Sequence, residues 1–265
     1  MSILIAALLG AIQGITEFLP VSSSAHLLLG RAALGWGEEP FGLVFDVATH
    51  LGTLVATIIY FRDDLLAMAR ALPRIFTDAP EARLMRLVAI GTIPVVIVGL
   101  LFSDWIEAHA RVPMVTVVTL SVGALGLLLV ERLGPRTRTV DDLTPGDAVV
   151  FGVAQAAALI PGLSRSGSTI TVGMLRGVRR DAAARFTFLM GIPAVVAAFA
   201  KAGLEMRHVP LTSDLVTVLV VGVVTSGVVG YLSIRFLIQY LSRHKLDVFA
   251  YYRLALAAVV WWFVH

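Results

Sequence analysis

Two short polar stretches interrupt an otherwise apolar chain, and both carry side chains suited to proton transfer or to gripping an anion. The first reads Gln13-Gly-Ile-Thr-Glu17-Phe-Leu-Pro20-Val-Ser22-Ser23-Ser24-Ala-His26. Gln13 and Glu17 are four residues apart, so on a helix they share a face, and Ser22 and His26 repeat that spacing after Pro20. A carboxylate and an imidazole are acid–base groups that can be tuned toward neutral pH when buried. Helix capping accounts for the serines and an interfacial position accounts for Glu17, but neither explains Glu17 and His26 together. The second stretch is Pro161-Gly-Leu-Ser164-Arg165-Ser166-Gly167-Ser168-Thr169. Backbone N–H groups at a helix start lack intrahelical partners and favour an anion. Glycines let that backbone come close, and arginine grips phosphate with a two-pronged fork. The pattern is that of a phosphate cradle; the competing reading is a structural arginine paired with Glu17. Gly162…Gly167-Ser168-Thr169 also fits part of a nucleotide-binding P-loop, but a serine stands where that motif needs lysine, which excludes it. Asp46 and His50, again four apart, could orient His26 or carry protons; the plainer reading is a packed, hydrogen-bonded helix histidine.

The elements that must position these residues lie in lipid. Of 265 residues, 58% are hydrophobic and 15% charged, against about 25% charged in an ordinary soluble domain. Mean hydropathy is +0.88. The absence of cysteine excludes disulfides, thiolate metal sites and cysteine nucleophiles. A net charge of +3 is too small and scattered for a nucleic-acid surface. The N-terminal apolar run has no basic residue before it and no small-residue cleavage pattern before Gln13, so it is expected to stay in the fold.

A spanning helix needs roughly 17–25 apolar residues. Six stretches qualify or nearly so: Val44–Phe61, Arg86–Phe102, Met114–Val130, Phe186–Ala200, Leu215–Leu241 and Phe249–Val264. Two more, Ile3–Leu29 and Ala148–Leu175, are broken by the polar motifs and their prolines. Irregular backbone at membrane depth must be buried in protein or line a wet cavity, so both read as re-entrant hairpins. Fifteen basic residues fall in one set of loops: Arg62, Arg70, Arg74, Arg83, Arg86, Arg132, Arg136, Arg138, Arg176, Arg179, Arg180, Arg185, Arg235, Arg243 and Lys245. Only Arg31, Arg111, Lys201 and Arg207 fall in the other. The positive-inside rule puts the first set in the cytoplasm and both termini outside. Trp36, Trp105, Trp261 and Trp262 near segment ends read as interfacial anchors.

The halves also echo each other. Arg86 and Pro94 are spaced like Arg185 and Pro193, and Gln13…Leu-Pro-x-Ser resembles Gln155…Ile-Pro-x-x-Ser. The expected architecture is an all-α polytopic membrane protein, one domain over 1–265. It has six transmembrane helices plus two broken re-entrant helical hairpins, in approximate inverted repeats 1–130 and 148–241 followed by a C-terminal helix 249–264. The site then lies near the midplane, where the broken helices meet.

GITEFLPVSSSAH together with PGLSRSGSTIT resembles the undecaprenyl-diphosphate phosphatase family, whose older name comes from bacitracin resistance. The likeness extends over essentially the whole chain, through FDVATHLGT at 45–53 to the closing YYRLALA. It implies hydrolysis of undecaprenyl diphosphate to the monophosphate and inorganic phosphate in the bacterial inner membrane, recycling the carrier of peptidoglycan synthesis. The family's acid-rich motif falls on Gln13 and Glu17, its histidine on His26 and its arginine on Arg165. On this reading Arg165, Ser164, Ser166, Ser168 and Thr169 hold diphosphate oxygens, with Gln13 and Ser22 lining the same site. Glu17 and His26 supply acid–base function. The nucleophile is His26, Ser23 or a water activated by Glu17. Many relatives carry a second glutamate where this chain has Gln13, so the motif offers one carboxylate. Mg²⁺ or Ca²⁺ is therefore expected to be held by diphosphate oxygens and water rather than bound permanently. The substrate, a long-chain polyprenyl diphosphate, and membrane lipids are the expected partners; a homodimer is compatible with the sequence, which does not set the oligomeric state.

Two rivals remain. A polyprenyl-phosphate flippase would share inverted repeats and broken helices, and would use Arg165 and the serines but not Glu17 and His26. A phosphatidic-acid-type lipid phosphatase would need a histidine soon after the Ser164-Arg165 pair, and none occurs between His109 and His208. The active site is expected to open to the periplasmic side.

Overall fold

The structure is a computed structural model of the chain and describes residues 3–33, 41–133, 136–205 and 212–264. Trp36 and Arg207 lie outside the described residues. Eleven α-helices follow in order among those described: α1 (Ile3–Thr16), α2 (Ser23–Ala33), α3 (Phe41–Tyr60), α4 (Arg62–Ala71), α5 (Pro80–Ala110), α6 (Pro113–Arg132), α7 (Pro145–Ala157), α8 (Arg165–Leu175), α9 (Arg180–Glu205), α10 (Ser213–Leu241) and α11 (Asp247–Val264). Their starts are legible locally. Proline, whose missing N–H costs nothing in the first turn, opens α5, α6 and α7. Thr144 and Asp147 form a reciprocal capping box at the start of α7.

Four of these helices, α5, α6, α9 and α10, are long and apolar enough to cross a membrane. A fifth span results if α3 is joined to the 72° bend that leads into α4. The protein is thus a multi-pass helical membrane protein. Leu125 and Leu129 on α6, and Val220, Val224, Val228 and Leu232 on α10, stay exposed at helical spacing. Such a stripe is stable only against lipid tails. The bend falls where the apolar run of α3 meets Arg62, Asp63 and Asp64, which cannot continue into hydrocarbon. At 31 residues, α5 overruns the expected 86–102 at both ends and continues through Pro94, as α9 does through Pro193. The ring of Pro94 lies against Gly152 of α7, where a β-carbon would stand 2.9 Å from it.

Both polar motifs break their helices. The chain leaves helix after Thr16 and re-enters at Ser23, and again leaves after Ala157 and re-enters at Arg165. Each break ends on a serine with positive φ, Ser22 at 75° and Ser164 at 67°. That conformation is uncommon outside glycine and persists only where surrounding contacts hold it. Small residues let the broken helices press into the bundle. Gly10 and Gly14 of α1 meet Gly222, Ser226 and Gly230 of α10, and Gly152 of α7 meets Gly91 of α5. Beside these crossings α3 lies along α10, α9 lies along α5 and α3, and α11 pairs with α6. Phe18, Phe151, Phe186 and Phe188 are fully buried where the two systems join.

Charges gather at opposite ends of α5 and α9. At their N-terminal ends, Glu131 binds Arg180, Asp64 binds Arg185, and buried Asp147 binds Arg138 at 2.5 Å and Arg176 at 2.8 Å. At their C-terminal ends Lys201 meets Asp104 at 3.0 Å, and Arg111 meets Glu107 at 2.8 Å. Among the described residues, the basic residues paired at the N-terminal ends are therefore separated from Lys201 and Arg111 by the length of a span. Asp147 sits in the first turn of α7, outside the spanning helices. Burial by itself would raise its pKa, but hydrogen bonds from Arg138, Arg176 and Thr144 outweigh that and hold it below the usual carboxylate range.

Candidate functional site

The two breaks interlock around one carboxylate. Glu17 lies one residue past α1 and is 9% exposed. Its Oε1 accepts from Arg165 Nη2 at 2.7 Å. Its Oε2 accepts from Ser23 Oγ at 2.9 Å and from Gln13 Nε2 at 3.0 Å, and faces His50 Nε2 at 3.5 Å. Ser23 and Arg165 are the first residues of α2 and α8. The first turns of both helices, with their unpaired backbone N–H groups and positive dipole ends, thus converge on the same negative group.

Further bonds lock the junction. Ser166 Oγ donates to the Leu19 carbonyl at 3.1 Å, and Gly162 N–H donates to Ser24 Oγ at 3.3 Å. Ser22 Oγ pairs with Ser24 Oγ at 3.1 Å, and Ser164 Oγ caps α8 by accepting from Gly167 N–H at 3.2 Å. Arg165 runs over Gly191 of α9, where a β-carbon would stand 2.5 Å from its Nη1, so α9 helps to fix the guanidinium.

Of the residues expected at the site, Gln13, Glu17, Ser23 and Arg165 come together, and His50 joins them. Ser22, Ser164 and Ser166 form the frame of the two breaks. Ser168 Oγ donates to the Leu163 carbonyl at 3.3 Å, and Thr169 Oγ1 donates to the Arg165 carbonyl at 2.7 Å while accepting from Thr187 at 2.9 Å. Their hydroxyls are engaged inside the fold. His26 faces away from Glu17. Its Nδ1 is 2.7 Å from the Ser22 carbonyl, which can only accept, so in the neutral ring Nε2 accepts from the Tyr252 hydroxyl at 2.6 Å. His26 and Tyr252 are also stacked, with ring centroids 5.6 Å apart. His50 is held the same way, Nδ1 to the Asp46 carbonyl at 2.8 Å, but points its other nitrogen at Glu17.

Sequence reasoning missed Arg253 and Tyr252. Arg253 is fully buried and reaches the carbonyls of Gly162 (3.0 Å), Leu163 (3.1 Å), Thr119 (3.2 Å) and Leu120 (3.3 Å). It ties α11 and α6 to the loop that presents Arg165. The signal was available: the loop-by-loop count of basic residues leaves over only Arg165 and Arg253. Tyr252 sits 226 positions from His26, and no local pattern links them.

Among the described residues no three His, Asp or Glu side chains converge to hold a metal ion. Both oxygens of Glu17 accept from donors, and the side-chain oxygen of the neighbouring Gln13 is buried without a hydrogen-bond partner.

A family model described as bacitracin resistance protein BacA matches residues 6–259. An undecaprenyl-diphosphatase of Rubrobacter xylanophilus is 48% identical over 265 residues, covering 98% of this chain and 97% of its own. Undecaprenyl-diphosphatases of Desulforudis audaxviator and Moorella thermoacetica are 44% and 41% identical, covering 95% and 98% of this chain and 94% and 97% of their own.

Proposed function

The chain belongs to the bacitracin resistance protein family, and from that membership and the junction at Glu17 we infer that it hydrolyses undecaprenyl diphosphate to undecaprenyl phosphate and inorganic phosphate. The observation that carries the chemistry is a carboxylate held between a serine hydroxyl and an arginine, at the first turns of two helices. Phosphoryl transfer is mostly positioning and charge stabilisation, with attacking and leaving oxygens in line. Arg165 and the two helix starts bind the diphosphate oxygens. Ser23 Oγ, its proton directed at Glu17, attacks the terminal phosphorus as Glu17 takes that proton. The bond from phosphorus to the bridging oxygen breaks, and the prenyl monophosphate leaves as the anion. Water then displaces phosphate from the serine: Glu17 takes a proton from the attacking water and returns it to the departing Ser23 Oγ, which restores the hydroxyl. His26 lies one turn along α2 from Ser23, on the same face, and with Tyr252 it borders the phosphate.

A divalent cation, Mg²⁺ or Ca²⁺, would be carried by the diphosphate rather than by protein ligands and would supply neutralisation of its charge. A flippase would also use Arg165 and the serines, but has no use for a base on a serine hydroxyl.

The remaining architecture is proposed on the same footing. Exchanging α1–α2 with α7–α8, α3 with α9, α5 with α10 and α6 with α11 maps the packing of α1 on α10, α3 on α10 and α1 on α2 onto that of α7 on α5, α9 on α5 and α7 on α8. This supports an inverted repeat whose second half runs on through the C-terminal helix; the packing of α8 on α9 and on α6 has no counterpart of like extent. The echo between Pro94 and Pro193 joins α5 to α9, which hold different places in that exchange. With α11 as a sixth span and basic ends in the cytoplasm, the protein sits in the inner membrane and the site opens to the periplasm.

The test is phosphate release from a polyprenyl diphosphate by detergent-purified wild type, Glu17→Ala, Arg165→Ala and His26→Ala, with and without Mg²⁺ or Ca²⁺. Release by wild type that collapses in the first two variants, while they stay folded, supports the reading. A folded wild type that binds the lipid and releases no phosphate overturns it.

A further inference from the structure

Resting on the diphosphatase reading, we propose that His50 is the proton outlet of the site, a positioning and relay residue that takes from Glu17 the proton released by the nucleophile. One oxygen of Glu17 receives that proton. Ser23 directs its hydroxyl to Glu17 Oε2, and Oε2 is also the oxygen that His50 Nε2 faces at 3.5 Å. The Asp46 carbonyl, 2.8 Å from Nδ1, can only accept, so the ring's proton stays on Nδ1 and the neutral ring turns its Nε2 lone pair to the carboxylate. A lone pair facing a carboxylate oxygen has no proton to share, which matches a separation longer than a hydrogen bond.

The other partners of Glu17 cannot do this. The Gln13 amide nitrogen and the Arg165 guanidinium are donors with no basic site, and Ser23 is where the proton came from. His26 has both ring nitrogens engaged, at the Ser22 carbonyl and the Tyr252 hydroxyl. Among the described residues His50 is therefore the one base touching the carboxylate. Its side chain is 35% exposed against 8% for Glu17, so it also connects the buried group to the outside.

The proton balance closes. The proton leaves Ser23 Oγ for Glu17 Oε2, passes to His50 Nε2, and departs from the imidazolium to solvent. Glu17 returns to the carboxylate that Arg165 pairs with and that must deprotonate the hydrolytic water in the second half-reaction. The charged groups facing the ring are Glu17 on the connection after α1 and, across that carboxylate, Arg165 of α8. Asp46 presents its carbonyl from one turn back on α3, and α10 meets this stretch of α3 with uncharged Gly222, Ser226 and Gly227.

The experiment measures phosphate release from a polyprenyl diphosphate by wild type, His50→Gln, His50→Ala and Glu17→Gln across pH, with thermal melts to verify folding. In both His50 variants kcat is expected to fall about 10²-fold and lose the limb of the pH profile that reports the relay. KM should stay within about twofold, since the ring touches no substrate atom in this scheme. Free imidazole should restore part of the activity of His50→Ala. If His50→Ala does not fold, His50→Gln, similar in length and unable to carry a proton, decides. Folded His50 variants with wild-type kcat and pH profile, or with only KM raised, overturn the relay while leaving the diphosphatase reading intact, because Glu17→Gln remains inactive beside them. A folded wild type that releases no phosphate overturns both.

Discussion

The connection after α1 and the connection after α7 turn the chain alike. Each closes on a serine with positive φ and hands the next residue to the first turn of a helix. Nine positions before that serine each has a buried glutamine, Gln13 or Gln155. Five positions before it they diverge, to Glu17 in one and Leu159 in the other; just after it stand Ser23 and Arg165. Gln13 donates to Glu17, whereas neither side-chain polar atom of Gln155 has a hydrogen-bond partner. The same backbone turn thus occurs twice, but the carboxylate and the serine hydroxyl bonded to it come from the first connection and the guanidinium from the second, so the cluster forms only where the two connections meet.

The largest effect should come from uncoupling the two. Glu17→Gln leaves Arg165 without its counter-charge and removes the base; phosphate release should fall about 10³-fold or more. Adding Leu159→Glu to that variant should not restore it, because a carboxylate there lacks Ser23 beside it; recovery would show that the copies are interchangeable. Ser23→Ala should cost about 10²-fold in kcat at near-normal substrate binding, and unchanged turnover would hand the attack to water.

Next come the hinges. Ser22→Val and Ser164→Val should each destabilise the protein by about 1–3 kcal/mol in detergent melts, because a β-branched residue resists positive φ. Glycine in either place should be nearly neutral for the backbone, but Ser164→Gly also removes the cap on Gly167, a loss of a few tenths of a kcal/mol or about that. A larger cost at Ser22 than at Ser164 would mean the first break is held less by its own bonds than by the second.

The smallest effect separates the hairpins by pH. Asp147 opens α7, and the first turn of α1 has no acidic residue. A carboxylate whose folded pKa is depressed contributes stability that is present above its unfolded pKa near 3.8 and lost as pH falls through the lower folded value. Wild type should therefore lose melting temperature more steeply below about pH 4 than Asp147→Asn, which starts lower and changes less. Parallel pH curves would remove Asp147 from the account.

Four of the expected spans were legible as long apolar runs, and the breaks and the residues gathered at Glu17 as local conflicts, proline, serine and charge inside such a run. Pro94 stands inside the expected span 86–102 and the helix does run through it, its ring packed on Gly152 of α7. What the spacing did not give is where each hydroxyl spends its proton: Ser168 and Thr169 both donate to nearby carbonyls, as hydroxyls on a helix readily do.

By itself the sequence determined that this chain lives in lipid, breaks two helices, and concentrates acid, hydroxyl and guanidinium groups at the breaks. Those conclusions rest on composition and on spacings within one or two turns. Only tertiary structure decided which imidazole meets the carboxylate. His26 and His50 each spend one nitrogen on a carbonyl four residues back, so nothing local tells them apart. What separates them is where α3 and α11 bring their neighbours, Glu17 to one and Tyr252 to the other, and that is set by glycine crossings and packing across the whole chain.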